Sequence, residues 1–343
     1  MTMRLVVDQP FDLALSLEMG QTFRWRRVGD EDVRDRDWGH PPERWRTGGG
    51  WYSGVLGEFL VHVRQMPGGM EYRVGDEAGE REDIDLEQGL RDYFRLDDDI
   101  TAVYSEITRD PVVKRAVEQY PGLRLLRQDP WECLASYVCS RVQSIRGTRG
   151  DVETIARLSR RTVRIGDDVR HVFPAPMFVA HSDLAAADPG LGLSRARDIV
   201  TIAGSVERDA LPLDRAGAGA EPSADVVRRL DGYPGVGPKI ASCVALMALD
   251  SLDAFPVDRW VQRAIAKCDL SEMPHGRGRR SLAEKIECSL ALTDAQQYQV
   301  AAWARARFGA YAGYAGQYLF HWAEPHKERA VRGDCPVCGP DRR

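Results

Sequence analysis

One amine and one carboxylate stand out because of the residues around them. Lys239 follows a Gly-Pro turn and opens a long apolar helix, where a cation opposes the helix dipole. Asp258 comes 19 residues later, just before another predicted helix, and its ordinary role there would be an N-cap. An uncharged lysine is a nucleophile, and a carboxylate can orient it or stabilise developing positive charge. The pair therefore indicates nucleophilic catalysis. The alternative is a purely structural role for both residues.

The chain between these two residues is long enough to bring them together. A helix of about 11 residues is about 17 Å long. The loop that follows it, at about 3.3 Å per residue, can return to the end where Lys239 lies. We therefore expect Lys239 and Asp258 to face one cleft.

The segment before Lys239 predicts two helices joined by a tight turn. Gly235, Val236 and Gly237 form the turn, and Pro238 takes the first helical position, where a missing N–H costs nothing. Glycine permits backbone angles closed to other residues, and amides at a helix N-terminus favour an anion. This helix-hairpin-helix pattern predicts that the three turn residues bind a DNA phosphate. The alternative is a helix pair that uses the same turn without binding anything.

Two kinds of element must position these residues. The first hundred residues alternate in short runs and predict an antiparallel sheet, with strands at Met3–Val7, Thr22–Arg26, Trp51–Val55 and Phe59–Val63. Residues 31–50 are rich in charge, Pro and Gly, and we interpret them as a surface insertion. From Leu86 onward, apolar residues recur with a spacing close to the period of an α-helix. The predicted helices are Leu86–Phe94, Ile100–Ile107, Pro111–Tyr120, Trp131–Val142, Val152–Leu158, Leu193–Val206, Ala224–Leu230, Pro238–Leu249, Arg259–Lys267, Ser281–Leu290 and Ala295–Phe308.

Composition excludes several classes of protein. The chain has 343 residues, 43% of them hydrophobic, which is too apolar for a wholly disordered protein. It has 47 Lys and Arg against 52 Asp and Glu, a net charge of −5. Residues 141–170 nevertheless carry eight arginines and four acids, a local net of 8 − 4 = +4. Because salt screens charges more than about 8 Å apart, this surface can still bind phosphate. The seven cysteines, an odd number, indicate reduced thiols. The sequence has no apolar run long enough to predict a membrane span.

Several motifs, in order along the chain, resemble the helix-hairpin-helix (HhH-GPD) DNA glycosylases, most closely the 8-oxoguanine DNA glycosylase/AP lyase branch. The stretch from Leu230 to Asp258 is similar to that family's hairpin, loop and aspartate. The other matching stretches are Gly20–Trp25, Asp129–Leu134, Tyr137–Ser140 and Gly190–Arg197. The resemblance implies an α+β fold, in which an N-terminal antiparallel β-sheet domain (TBP-like) is followed by a mostly α-helical glycosylase domain.

The resemblance also implies a reaction. The lysine, uncharged when it attacks, would displace the base from C1′ of a flipped nucleotide, and the resulting Schiff base would permit β-elimination of the 3′ phosphate. Lys239 matches this nucleophile and Asp258 the acid that assists it. Cys243, one turn beyond Lys239, matches a cysteine of the base pocket, although a small buried core residue is an equal alternative.

Recognition of the opposite base departs from the family pattern. An asparagine of the 8-oxoguanine branch falls on Val142, which has no side-chain hydrogen bond to offer, and an arginine falls on Gly147. Arg146 is adjacent to that arginine's position, and Arg195 matches a second one. Gln143 is a candidate for the wedge that fills the vacated stack, with an exposed polar residue as the alternative. The lesion and the opposite-base preference therefore stay open.

The C-terminus carries a further pair of thiols. Cys335 and Cys338 form a C-x2-C pair, which could hold a structural zinc ion with His321 or His326 as mixed ligands. The four-cysteine spacing of the iron–sulfur glycosylases is absent from the sequence, so no iron–sulfur cluster is expected. No cofactor is required by the chemistry described above.

These observations predict three segments and one function. Residues 1–125 are predicted as the β-rich domain, 126–325 as the helical domain and 326–343 as a tail. The function predicted is base-excision repair: removal of an oxidised purine from double-stranded DNA by base flipping and Schiff-base chemistry. The alternatives are a monofunctional alkyl-base (3-methyladenine-type) glycosylase and a non-catalytic DNA-binding protein. We expect a cytoplasmic monomer, nucleoid-associated if prokaryotic, without a membrane partner.

Overall fold

The computed structural model describes residues 2–29, 43–46, 48–75, 85–187, 189–213, 221–274 and 281–323. An antiparallel sheet comes first and helices follow it, which confirms the predicted α+β class. The strands are β1 (Met3–Val6), β2 (Arg26–Arg27), β3 (Tyr52–Leu56), β4 (Phe59–Met66) and β5 (Gly69–Val74), in the spatial order β1-β5-β4-β3-β2. Two short helices belong to this part, α1 (Leu13–Glu18) and α2 (Glu43–Arg46).

Fourteen further helices and a small β-hairpin are present in the described residues after the sheet. The helices are α3 (Leu86–Tyr93), α4 (Ile100–Ile107), α5 (Pro111–Gln119), α6 (Pro130–Cys139), α7 (Ile145–Ala156), α8 (Pro176–Ala180), α9 (Leu184–Ala187), α10 (Leu193–Glu207), α11 (Ser223–Asp231), α12 (Pro238–Ala248), α13 (Arg259–Ile265), α14 (Leu282–Glu287), α15 (Asp294–Phe308) and α16 (Ala312–Ala323). The hairpin pairs β6 (Thr162–Ile165) with β7 (Asp168–His171). None of the described helices is both long and apolar enough to cross a bilayer.

Helix boundaries follow local capping signals. Asp110 and Asp129 each accept hydrogen bonds from the first-turn amides of α5 and α6, and a proline follows each of them at the first helical position. Ser281 and Thr293 begin α14 and α15 with capping boxes, in which the third helical residue bonds back to the cap. These signals explain why most predicted helix starts agree with the structure to within one or two residues.

Two apolar cores organise the chain. One lies between the sheet and α1 and α3, and the other collects the remaining large helices. Helices α4 and α5, which fall within the predicted domain 1–125, pack in the second core. The division at residues 125 and 126 therefore stays a prediction, and the two cores do not separate at a single point of the chain.

Gln21 joins the two parts through buried hydrogen bonds. Its amide nitrogen donates to the carbonyls of Ser16 and Arg124, and its amide oxygen accepts from the backbone N–H of Leu126 at 2.9 Å. Its own carbonyl accepts from the side chains of Gln128 and Tyr137. A single side chain thus fixes the segment after α1 against the residues that lead into α6.

Several elements differ from the predictions. Strand β5, helices α1 and α16 and the β6–β7 hairpin were not predicted, and the predicted strand 22–26 is reduced to β2. Helix α6 ends at Cys139 and α7 begins at Ile145, earlier in both cases than expected.

The end of the predicted surface insertion is not a surface segment. Trp45 is buried, its ring lies 5.2 Å from that of Tyr52, and Arg27 stacks on it. Gly50 has no side chain, and the Trp45 ring occupies the space that a Cβ at this position would fill. The surface interpretation is therefore wrong for this end, while residues 31–42 lie outside the described part of the chain.

Candidate active site

A cavity of about 630 Å³ lies between the N-terminal segment and the helices. This volume falls within the range of roughly 300–1,000 Å³ that is typical of small-ligand sites. The residues that line it come from the segment after α1, the end of α6, the α6–α7 loop, the start of α7, α12, the loop between α12 and α13, the start of α13 and α16. They include Met19, Gly20, Phe23, Tyr137, Val142, Gln143, Lys239, Cys243, Asp258, Trp260, Gln317 and Phe320.

Lys239, Cys243 and Asp258 form one side of the cavity, which we call the lysine wall. Lys239 and Cys243 are four residues apart on α12 and therefore share one helix face. Asp258 is the N-cap of α13, and its Oδ1 accepts hydrogen bonds of 2.8 Å from the amides of Trp260 and Val261. The structure thus brings the predicted amine and carboxylate to the same cavity.

Electrostatic coupling within the lysine wall is visible at Cys243. Burial raises the pKa of the Cys243 thiol, the Lys239 amine acts to lower that pKa, and the Asp258 carboxylate acts to raise it. Lys239 Nζ also lies 5.2 Å from the centre of the Tyr137 ring, a cation–π distance. Burial holds the pKa of the Tyr137 hydroxyl well above its usual range. An amine, a thiol, a phenol and a carboxylate therefore share this side of the cavity.

Asp258 serves two roles at once. The N-cap role expected of it is present, since both of its capping bonds are made. A carboxylate offers about four lone-pair sites, so two bonds to one oxygen do not exhaust its capacity. Asp258 can therefore cap α13 and still interact with a group inside the cavity.

The turn before α12 is braced from outside. Gly235 has φ +74°, which favours glycine, and a Cβ there would lie 2.6 Å from Arg141 Nη1 and 2.7 Å from Asp198 Oδ2. Arg141 and Asp198 form an ion pair of 2.6 Å that packs against the turn. Gly237 differs from the prediction, because its φ of −98° is open to any residue. Only Gly235 needs the conformational freedom of glycine.

Val142 and Gln143 of the α6–α7 loop also line the cavity, and together with Arg195, which donates to Gln143, they form what we call the rim. Gln143 Nε2 donates to Asp151 at 2.7 Å, and its Oε1 accepts from Arg195 Nη1. Arg195 also donates to the carbonyls of Leu191 and Cys139 at 2.7 and 3.0 Å. Val142 lies in the α6–α7 loop with φ +52°, and its relative exposure is 107%.

The remaining predicted contact residues lie around the rim. Arg146 is exposed on the first turn of α7 and is not among the residues that line the cavity. Gly147 packs against Gln143, since a Cβ at this glycine would lie 2.7 Å from Gln143 Cγ. The absence of a side chain at residue 147 therefore makes room for Gln143.

One of the four candidate zinc ligands lies within the described residues. Cys335, Cys338 and His326 lie outside the described residues, and His321 is buried on α16 beside Tyr120. Within the described part of the chain, no group of three or more His, Cys, Asp or Glu side chains is arranged to hold a metal ion. The zinc site stays a prediction.

Sequence reasoning missed much of the cavity lining. Phe23 and Tyr137 fall within the motifs quoted above but were not assigned to the site, and Phe320 lies outside those motifs. The motif around Gly20 was the available signal, because Gly20 itself lines the cavity and the Gln21 side chain fixes its segment. Gln317 Nε2 donates to the Met19 carbonyl and fixes the same segment from the side of α16.

The chain combines a five-stranded antiparallel sheet, a helical remainder and a braced turn beside a lysine, and known proteins share this combination. Residues 4–134 match the family described as "8-oxoguanine DNA glycosylase, N-terminal domain". The N-glycosylase/DNA lyase OGG1 of Arabidopsis thaliana is 27% identical over 320 residues, which cover 90% of this chain and 76% of that protein.

Solved structures agree with this match. The structure of MBOgg1 in complex with a low-affinity DNA ligand is 25% identical with a TM-score of 0.72, and the match covers 95% of this chain and 96% of that one. The 8-oxoguanine glycosylase/lyase of Clostridium acetobutylicum, in complex with DNA containing cytosine opposite 8-oxoguanine, shares the fold at 22% identity and a TM-score of 0.70, over 95% and 98% of the two chains. Over most of its length this chain therefore resembles the 8-oxoguanine glycosylases in sequence and fold, and residues 4–134 match their N-terminal family.

Proposed function

We propose that the protein is a bifunctional DNA glycosylase/AP lyase that removes 8-oxoguanine, or a closely related oxidised purine, from double-stranded DNA. The observation that carries this proposal is the lysine wall, in which Lys239 and Asp258 line one cavity from the starts of two successive helices. The names of the relatives, N-glycosylase/DNA lyase among them, support the same reaction.

Each side chain of the lysine wall then has a step to perform. The lone pair of the uncharged Lys239 amine forms a bond to C1′, and the electron pair of the C1′–base bond leaves with the base. Asp258 orients the amine and stabilises positive charge that develops on the sugar. Ring opening gives a Schiff base on Lys239, and loss of a C2′ proton then breaks the bond to the 3′ phosphate. In this proposal the extruded base occupies the cavity that Cys243 lines.

In this proposal, the turn before α12 and the start of that helix bind the DNA backbone. Extrusion of a base costs free energy that contacts to the pocket and the phosphates must offset. The amides at the start of α12 follow a turn that the Arg141–Asp198 pair braces, so they are held in place before DNA arrives. Such amides at a helix N-terminus favour a phosphate.

Borohydride trapping on an abasic duplex tests the proposal. The chain contains only five lysines, and of the four that are described Lys239 alone lines the cavity. We expect wild-type protein to form a covalent adduct, and Lys239→Gln to lose the adduct and at least about a thousandfold in single-turnover excision of 8-oxoguanine. Lys114→Gln, on the exposed face of α5, is the matched control and should keep both activities.

Two results would contradict the proposal. Excision without trapping would indicate the monofunctional glycosylase, and DNA binding without either would indicate the non-catalytic protein. A panel of duplexes with other damaged bases would identify the lesion if 8-oxoguanine is not excised.

A further inference from the structure

We propose that three buried arginines beside the cavity bind one small monovalent anion, of which chloride is the simplest example. The arginines are Arg24, Arg149 and Arg170, and together with Glu132 and Glu153 we call them the arginine cluster. It lies where the segment before β2 meets α6, α7 and β7. The inference does not depend on the proposed function, because none of these five residues lines the cavity.

The burial of the cluster is the first observation. The side chains of Arg24 and Arg170 are only 2% and 4% exposed. A guanidinium that is removed from water needs hydrogen-bond acceptors and a compensating negative charge. Arg24 has both, because it donates to Glu153 at 3.2 Å, to Glu132 at 3.4 Å and to the carbonyl of His171.

The donors of Arg170 are the second observation. An arginine carries five N–H donors, two of them on Nη2. Arg170 Nη2 donates to the Arg24 carbonyl at 2.9 Å and to the Glu153 carboxylate. Its Nε and Nη1 are buried and have no hydrogen-bond partner among the described residues. Because buried donors are nearly always satisfied, an acceptor from outside the chain is expected at Arg170.

The balance of charge is the third observation. The cluster contains three arginines and two glutamates, a formal net charge of 3 − 2 = +1. Arg26 and Glu18 also act on the cluster, but each has a partner of its own, Asp168 and Arg27 respectively. Asp129 acts on Glu132 from the exposed N-cap of α6, where solvent screens its charge. One positive charge of the cluster is therefore left uncompensated.

The pKa values of two of the arginines agree with this excess. Burial and the neighbouring Arg170 guanidinium lower the pKa of Arg149 to about 10. Burial also lowers the pKa of Arg170, and Arg26 and Arg24 act in the same direction, while Glu153 opposes them. A lowered arginine pKa means that the surroundings disfavour its positive charge. A bound anion would offset this repulsion.

Size and charge define the ligand. The near-complete burial of Arg24 and Arg170 favours a small ion, and the excess of one charge favours a monovalent one. Such an ion would connect the segment before β2, α7 and β7, to which Arg24, Arg149 and Arg170 belong. Phe23 and Thr148, which directly precede Arg24 and Arg149, line the cavity. The anion would therefore hold together elements that support the cavity wall.

The dependence of stability on chloride tests the site. Full-length protein is unfolded with urea in about 10 and about 200 mM chloride, with gluconate keeping the ionic strength constant. We expect the equilibrium constant for folding to rise at least about fivefold with chloride, because an anion that binds only the folded state stabilises it. Arg170→Met removes the charge and keeps much of the volume, and it should reduce the rise to below about twofold. Arg164→Met, at an exposed position on β6 of the same hairpin, is the matched control and should keep the wild-type rise.

Bromide locates the anion directly. Crystals of the wild-type protein grown with bromide are measured at the bromine absorption edge. We expect an anomalous peak within hydrogen-bonding distance of Arg170 Nε or Nη1, and no such peak in Arg170→Met. The wild-type crystals give this answer even if Arg170→Met does not fold.

Three outcomes would overturn the anion site. The first is a folding constant that does not change when chloride replaces gluconate, and the second is a rise of the same size in Arg170→Met. The third is bromide bound at exposed arginines and not at Arg170, which would be an adventitious ion only, with water as the acceptor at Nε and Nη1. Borohydride trapping and base excision are measured separately, so none of these outcomes bears on the proposed function.

Discussion

The lysine wall and the rim face one cavity but are held in place by different kinds of contact. Lys239 and Asp258 occupy the starts of α12 and α13, where the preceding turn and the capping bonds are made by residues close in sequence. Gln143 is held by Arg195, 52 residues away. The Arg141–Asp198 pair, which joins residues 57 positions apart, instead braces the turn before Lys239. The groups for chemistry are thus positioned by local structure with one long-range brace, while the rim depends on a long-range bond between its own residues.

This difference means that the two sides can vary independently at some positions. Substitution of Gln143 or Arg195 can reshape the rim, whereas substitution of Asp198 on α10 would also loosen the turn before Lys239. The lysine wall has less freedom, because the Asp258 side chain also caps α13. Three experiments test whether the two sides are as separable as their contacts indicate.

The largest effect is expected at Asp258. Asparagine is as good an N-cap as aspartate, so Asp258→Asn should leave the free energy of unfolding within about 0.5 kcal/mol of wild type. Loss of the negative charge should slow single-turnover excision at least about a hundredfold. Asp258→Ala should show the same loss of activity plus about 1 kcal/mol of destabilisation. A fully active Asp258→Asn would reduce Asp258 to a cap.

Gly235→Ala should have the next largest effect, and this one on stability. The substitution places a Cβ at positive φ and against the Arg141–Asp198 pair, so we expect about 2 kcal/mol of destabilisation in urea unfolding. Gly237→Ala is the matched control. Gly237 has an ordinary φ and open space around it, so the cost should stay below about 1 kcal/mol. Equal costs for both glycines would show that the brace does not constrain the turn.

The smallest effect concerns the reactivity of Cys243. Lys239 acts to lower the pKa of this thiol, so Lys239→Gln should raise that pKa, reduce the thiolate fraction and slow alkylation a few-fold at pH 8. Asp258 acts to raise it, so Asp258→Asn should speed alkylation by a similar factor. Rates are read by mass spectrometry of the Cys243 peptide, with Cys268 as an internal control. Shifts of the same sign in both variants would contradict a shared cavity.

Local signals explain which parts of this protein could be predicted. The starts of α12 and α13 follow from the Gly-Pro turn and from Asp258, so both helices and the shared cleft were predictable from adjacent residues. Helix α1 was not predictable in this way, because all six of its residues are buried and no polar face reveals a helical period. The β6–β7 hairpin did have a signal, the Gly166-Asp167 turn between short alternating runs, which the surrounding helices obscured.

The rim could not be predicted, because nothing local indicates its partners. Arg195 matched a family position, but its bond to Gln143 joins two segments that only the folded chain brings together. The burial of Trp45 has the same origin, since it depends on Tyr52 and Arg27 in neighbouring strands.

The buried amide of Gln21 makes the cavity depend on the N-terminal part of the chain as well as on the helices. This side chain fixes the segment that carries Met19 and Gly20 against the residues that lead into α6. A truncated protein that contains only the helices would therefore lack one wall of the cavity. Removing the first 23 residues would likewise remove part of the wall of the cavity in which the base is proposed to bind.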